Sequence, residues 1–397
     1  MTALHLAKSA LLAVPLWLLL SSLLRLKPSW LKHLASLAVG FGVAALVTLV
    51  TPTGILSYVT TFILMACIYA VLSVGLNVQW GYTGLFNIGI AAFYAIGAFT
   101  SALVTTRMPT GLNASFTKQL FGLGMPFWVG VLAAGLVAGL LAWLVGKPTL
   151  RLRGDYLAIA TIGIAELVRL FFQNERWLAN GPQPLRGIPQ PLSCLSGNGC
   201  DWLPGFVNSF FAPLGPRDYP FVYVAIVALV LYLVYRVLER AIRSPWGRVL
   251  RAVREEEASA AMNGKDIAAF RMQAFVVGAV IMGIGGALYA HYIVSIDYSH
   301  FDPLNGTFLV WVMLMLGGSG NNRGAILGAF VVYAIWSGTS FVVDALRPTL
   351  AAISPDLPSR GPYLRLLFIS ILLVFIVLYR PRGIVPEEKV VSLDRDL

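Results

Sequence analysis

Charge is what this sequence has least of. Asp, Glu, Lys and Arg together make up 12% of its 397 residues while 58% are hydrophobic, and an ordinary soluble domain is about a quarter charged. That deficit excludes a water-soluble fold. Catalytic signatures are missing too. The P-loop pattern G-x-x-x-x-G-K-[ST] is absent, because Gly146-Lys147 runs into Pro148 and Gly264-Lys265 into Asp266. There is no H-E-x-x-H metal motif and no G-x-S-x-G elbow. The chain therefore does not hydrolyse ATP by itself, and no enzyme is expected. Nor does it carry the series of buried carboxylates that a proton-coupled pump needs. Cysteine is reduced to 3 residues. Cys67 lies in an apolar run and reads as packing. Cys194 and Cys200 flank Ser196-Gly197-Asn198-Gly199 in the longest polar loop, where a small disulfide-closed turn and two free thiols both fit. No histidine lies near them, so no metal site is expected.

Long apolar runs dominate what is there. At roughly 20 residues per helical crossing, they predict an all-α, polytopic transmembrane bundle of about 10–11 spans. The runs fall near 11–24, 34–50, 57–78, 84–105, 126–146, 155–173, 220–238, 268–290, 304–317, 324–346 and 363–380. The net charge of +11 comes from Lys and Arg in short loops, which is the positive-inside pattern and not a nucleic-acid footprint. It sets Arg25–His33, Lys147–Arg153, Arg236–Arg254, Arg323 and Arg380–Arg382 inside, with Arg107 and Lys118 as the exceptions outside. The N-terminus is then expected outside and the C-terminus inside. The organisation that follows is an extra N-terminal span and basic loop (1–33), a transmembrane domain (34–383) with an outer loop (174–219) and an inner charged loop (241–267), and a tail (384–397).

Three features stand out from the hydrocarbon. The first is the charged stretch from Ser244-Pro245-Trp246-Gly247-Arg248 to Asp266. Arg248, Arg251 and Arg254 recur every third residue, then come Glu255, Glu256 and Glu257 and the small run Ala258-Ser259-Ala260-Ala261 before Gly264. Ser followed by Pro is a helix start, and three carboxylates suit the beginning of a second short helix. The stretch reads as a helical elbow between spans or as an ordinary positive loop. The second is a pair of glycine- and amide-interrupted segments, suited to broken or re-entrant helices. One is Asn77-Val78-Gln79-Trp80-Gly81-Tyr82-Thr83-Gly84, with Asn87 just beyond, and the other is Gly317-Gly318-Ser319-Gly320-Asn321-Asn322-Arg323-Gly324. They mark either a translocation pathway or two tight turns. The third is ionic: Glu166 and Arg169 lie three apart on one span, close enough to neutralise each other. His291, Asp297, His300 and Asp302 cluster near a span end and read as a wetted surface. Gly135-xxx-Gly139 and Gly324-xxx-Gly328 are small-xxx-small patterns for close helix approach.

Taken in order, several stretches resemble the LivM-type permeases of bacterial ABC importers for branched-chain and other neutral amino acids, a family that includes urea and short-chain amide permeases. They are Gly75-Leu76-Asn77 with Gly81-Tyr82-Thr83-Gly84-Leu85, Asp155–Thr161 with Ala165-Glu166-Leu167-Val168-Arg169, Asn180-Gly181 with Gly187-Ile188-Pro189, Ser244–Arg248 with Arg251–Glu255, Gly285–Ala290, and Gly317–Gly320. The resemblance implies a coupling helix at about Glu255 to Gly264 that docks on an ATPase, although the family's Glu-Ala-Ala signature is degenerate here. It implies two partner ATPases that bind ATP and magnesium, a second LivH-like permease, a periplasmic binding protein docking near 174–219 and 291–303, and alternating access in the bacterial inner membrane. An amide permease or a stand-alone secondary transporter are the competing readings.

Overall fold

The computed structural model describes residues 3–23, 39–45, 48, 53–109, 118–152, 154–196, 205–353, 361–380 and 382–387. The expected span at 34–50, the basic loop before it and most of the tail fall largely outside these residues.

The chain is a helical bundle. Its principal helices are α1 (Ala3–Leu23), α2 (Thr53–Leu76), α3 (Ile90–Thr105), α4 (Phe127–Thr149), α5 (Gly154–Asn174) and α6 (Tyr219–Arg243). After them come α7 (Pro245–Glu255), α8 (Glu257–Met262), α9 (Ile267–Ile293), α10 (Leu309–Gly317), α11 (Asn322–Ile353) and α12 (Gly361–Tyr379). Among the described residues five helices are long and apolar enough to cross a membrane, and four shorter apolar helices accompany them. Every backbone polar group in such a layer must be satisfied within the protein, and helices do this locally. The chain is a multi-pass membrane protein.

Helices α2 and α9 form the middle. Helix α9 packs on α2, α3 and α4, while α2 also carries α6 and α11, and α1 lies against α6. Lys8 of α1 is nearly buried and holds Asp218 just before α6 at 2.7 Å. The α3–α9 crossing is backbone on backbone. A Cβ on Gly286 would overlap the Tyr94 carbonyl oxygen, and one on Gly97 would overlap Gly283. The expected glycine pairs also sit at contacts: Gly135 and Gly139 face Val280 of α9, and Gly324 and Gly328 face the main chain of Gly317 and Met313. Overpacking of this kind costs about 1–3 kcal/mol or more. Gly286→Val is therefore expected to abolish a monodisperse detergent-solubilised species in size exclusion, whereas Gly338→Val, with nothing within 4 Å of its Cβ, leaves it intact.

Two expectations change. The span near 84–105 begins only at Ile90, because residues 84–89 run as a non-helical passage in which Leu85, Asn87 and Gly89 are buried. Hydropathy does not separate an apolar irregular segment from a helix. His291 is not on a wetted surface: it is 0% exposed. Its Nδ1 donates to the Pro189 carbonyl at 2.7 Å and its Nε2 lies 2.9 Å from the Ser101 hydroxyl, so both ring nitrogens are satisfied internally. Asp297 and His300 instead close a short turn of their own. Burial raises the Asp297 carboxyl, but hydrogen bonds from Ser299 and the neighbouring His300 outweigh it and hold the group below the ordinary carboxylate range.

Candidate functional site

The two interrupted segments meet. Helix α2 ends in a π-turn, Asn77–Gly81, whose Asn77, Gln79 and Trp80 carbonyls accept from the N–H groups of Tyr82, Leu85 and Gly84. The amide side chains tie this turn to its surroundings. Asn77 Oδ1 accepts from the Gly320 N–H at 2.9 Å and its Nδ2 donates to Asn322 Oδ1 at 2.9 Å, joining the first interruption to the second. Gln79 donates to the Phe275 carbonyl of α9 at 2.8 Å and accepts from Asn87 at 2.7 Å. Asn87 in turn accepts from the Gly89 N–H at 2.7 Å, and its carbonyl accepts from the Trp311 indole at 3.0 Å. All three amides are 0% exposed. Tyr82 and Thr83 are buried beside them, and Thr83 donates to the Val78 carbonyl at 3.0 Å. The second interruption is a tight turn between α10 and α11, with Gly318 at φ 113° and Gly320 at φ 79°. A Cβ at Gly318 would overlap the carbonyl oxygen of Val385, so glycine is required there twice over.

The charged elbow joins the same node. Ser244 in an extended conformation ahead of Pro245 turns the chain sharply out of α6 into α7. Helix α7 buries Gly247, Leu250 and Val253 and is tied to α9 by Trp246, which donates to Gln273 at 2.9 Å. On its other side the Arg254 guanidinium donates to the Gly81 carbonyl at the end of the π-turn. It also donates to Glu387 Oε2 at 2.8 Å, while Arg251 stands 3.6 Å from Glu387 Oε1 and 5.7 Å from the Tyr82 ring centre. About a quarter of each of these three side chains meets solvent. The segment carrying Glu387 is itself strapped down. Its Ile384 and Val385 N–H groups donate to the Leu316 and Gly317 carbonyls at 2.8 and 2.9 Å, and Asn321 donates to the Pro386 carbonyl at 3.1 Å.

The elbow's tip is free by comparison. Helix α8 starts after Glu256 and is tied to α9 by Arg271 on Glu257 at 2.8 Å, and Gly264 at φ 71° ends its turn. Ala260 is buried, but Glu255, Glu256, Glu257, Ala261 and Gly264 are exposed and Met262 is 89% exposed. Met262 and Glu387 were not singled out from sequence. A lone Met after a small-residue run and a carboxylate beyond the last apolar run carry no local signal of the contacts they make.

The opposite end of the bundle holds a second assembly. Strand β1 (Leu185–Arg186) pairs antiparallel with β2 (Ser295–Ile296), which stitches the long loop to the segment after α9. Beside this ribbon a cavity of about 850 Å³ is lined by Arg107, Gln119, Phe127, Asn180, Arg186 and Pro189, among others. Cys194 is disulfide-bonded, and Cys200 lies outside the described residues. Glu166 and Arg169 are together on α5, with Arg169 Nε donating to Glu166 Oε2 at 2.9 Å and Nη2 to the other carboxylate oxygen.

Comparison with known proteins is consistent across the chain. Residues 58–377 match the family model described as a branched-chain amino acid transport system permease component. The high-affinity branched-chain amino acid transport system permease protein LivM of Salmonella typhimurium is 31% identical over 330 residues, 81% of this chain and 68% of that protein. A probable LivM of Methanocaldococcus jannaschii is 27% identical over 343 residues, covering 82% of this chain and 92% of its own. A nucleoside ABC transporter permease protein of Lactococcus lactis is 24% identical over 288 residues, 70% of this chain and 80% of its own. No solved structure matches.

Proposed function

Because the chain belongs to the family of branched-chain amino acid transport permeases, we propose that it is the membrane-spanning subunit of an ATP-driven importer for branched-chain or other neutral amino acids. A second, LivH-like permease completes the pathway, two separate ATPases bind ATP and magnesium, and a periplasmic binding protein delivers the solute. The subunit lies in the bacterial inner membrane with its N-terminus outside and its tail inside. The amino-acid solute is favoured over a nucleoside because the amino-acid relatives share more of this chain, 81–82% against 70%.

One observation carries the coupling. The exposed tip of the elbow, α8, is built onto a base whose Arg254 holds both the end of the first interruption and the tail that straps the second. A force applied at α8 by an ATPase reaches both interruptions through bonded contacts. A transition between inward- and outward-open states needs differential contacts of this kind. The buried amides Asn77, Gln79 and Asn87 hold the breaks in shape, so we place them, with Gly81, Tyr82, Thr83, Gly84, Gly317 and Gly318, at a hinge of the pathway. The β1–β2 ribbon and the cavity next to it form the dock for the binding protein.

Ala261→Arg tests the elbow, since Ala261 is exposed and the change leaves the helix intact. Uptake driven by ATP in proteoliposomes is expected to fall more than tenfold, with the permease still eluting as a folded species. Full uptake in this variant removes α8 from the mechanism.

A further inference from the structure

Helix α5 runs the height of the bundle. It starts a few residues after α4 ends, and it is followed by Ala179 and Asn180, which bond to Gln119 and Lys118 at the end where α4 begins. At 1.5 Å per residue, Glu166 lies roughly 18 Å and Arg169 roughly 22 Å beyond Gly154, within an apolar layer about 30 Å thick. One face of α5 is packed, through Leu157, Ala158, Thr161, Ala165 and Phe172. The other is bare: Ile159 is 67% exposed, Ile162 45% and Leu167 67%, and nothing lies within 4 Å of a Cβ built on Gly163. Glu166 falls on this bare stripe, between Ile159 and Leu170, and the ion pair with Arg169 is left 38% and 25% exposed.

Lipid does not suit such a face. Helix α4 shows what a lipid-facing surface looks like here, with Leu132, Leu136, Leu140 and Leu144 exposed along it and no charge among them. Two ionised heads at that depth, although paired with each other, still belong against a polar or water-filled space and not hydrocarbon, and an occupant carrying both charges suits them. An α-amino acid brings one ammonium and one carboxylate on a single carbon. Arg169 presents a planar fork suited to a carboxylate, Glu166 accepts from an ammonium, and Ile159, Ile162 and the open space at Gly163 receive an aliphatic side chain. The Tyr298 ring, centred 5.9 Å from the Arg169 guanidinium, walls the site on the ribbon side. We infer that Glu166 and Arg169 form a binding site for the zwitterionic head of the solute, on a face of α5 that lines the translocation pathway. Exchanging the internal ion pair for two intermolecular ones keeps every charge compensated as the solute arrives and leaves.

This rests on the amino-acid permease reading above, and the test separates the two. The whole complex, with its partner permease, ATPases and binding protein, is reconstituted in liposomes and supplied with radiolabelled leucine. Glu166→Gln, Arg169→Gln and the double variant are compared with the unaltered complex. The expected result is that all partner subunits co-purify with each variant, while leucine uptake falls at least tenfold and the ATP hydrolysed per leucine moved rises at least tenfold in all three. Recovery of uptake in the double variant, which leaves no unpaired charge, overturns the site and reduces the pair to a packing device. Loss of the second permease from the variants also overturns it, by making this face a subunit interface. Absence of ATP-dependent leucine uptake in the unaltered complex sinks the importer reading itself, and the site with it.

Discussion

Reversing a single charge in the tail, Glu387→Lys, is expected to cut ATP-driven uptake by about tenfold while the subunit still folds and assembles. Glu387 receives Arg254 at 2.8 Å and faces Arg251 at 3.6 Å. A hydrogen bond to a charged group is worth about 1.5–3 kcal/mol net, with the lower part of that range appropriate where a quarter of each group is wet and screened. Since every 1.4 kcal/mol is tenfold in an equilibrium, loss of the contact shifts the elbow between held and released positions by about one decade. Arg254→Glu is expected to do more harm, because it also takes a donor from the Gly81 carbonyl. Combining Arg254→Glu with Glu387→Lys is expected to restore part of the uptake lost in either alone. The readout is initial uptake rate alongside ATP turnover. Equal uptake in Glu387→Lys and the unaltered protein would show that the tail contact plays no part in coupling.

The second large effect is on stability. Asn77→Leu keeps the branched shape but leaves the Gly320 N–H and the Asn322 side-chain oxygen without the partners they have now, at 2.9 Å each. Each unsatisfied buried group costs about 1–3 kcal/mol, so roughly 2–6 kcal/mol is expected to be lost at a contact joining the two interruptions. Thermal aggregation of the detergent-purified subunit, followed by size exclusion, measures it. A variant as stable as the parent but altered only in solute uptake would make Asn77 a pathway-lining group and not a structural clasp.

That contrast shows where sequence was informative and where it ran out. Apolar runs located the helices well, because burial in hydrocarbon is a property of twenty consecutive residues. The Ser244-Pro245 turn and the small-residue α8 were legible for the same local reason. Polarity inside a span was visible at Asn77, Gln79 and Asn87, but polarity alone does not distinguish an amide that meets solute from one that satisfies broken main chain. What bears on the choice is who stands opposite, and Gly320 and Asn322 lie more than two hundred residues away from Asn77. The β1–β2 ribbon, the burial of His291 against Pro189 and the grip of Glu387 on Arg254 are likewise long-range pairings, with no periodicity or spacing to announce them. The α3–α9 contact was not legible either: Gly286 entered only within a stretch resembling the family, and it takes the partner helix to show that it admits the Tyr94 main chain.

The placement of Glu387 also bears on biogenesis. Chains are threaded into the membrane from the N-terminus as they are made, and Arg254 is synthesised more than a hundred residues before the carboxylate that holds it. Through the synthesis of α9, α10, α11 and α12 the elbow is therefore without this clamp. The strap over Gly317 and Gly318 is set only when residues 384–387 emerge, so the two interruptions and the elbow are tied together only after α12 has been made.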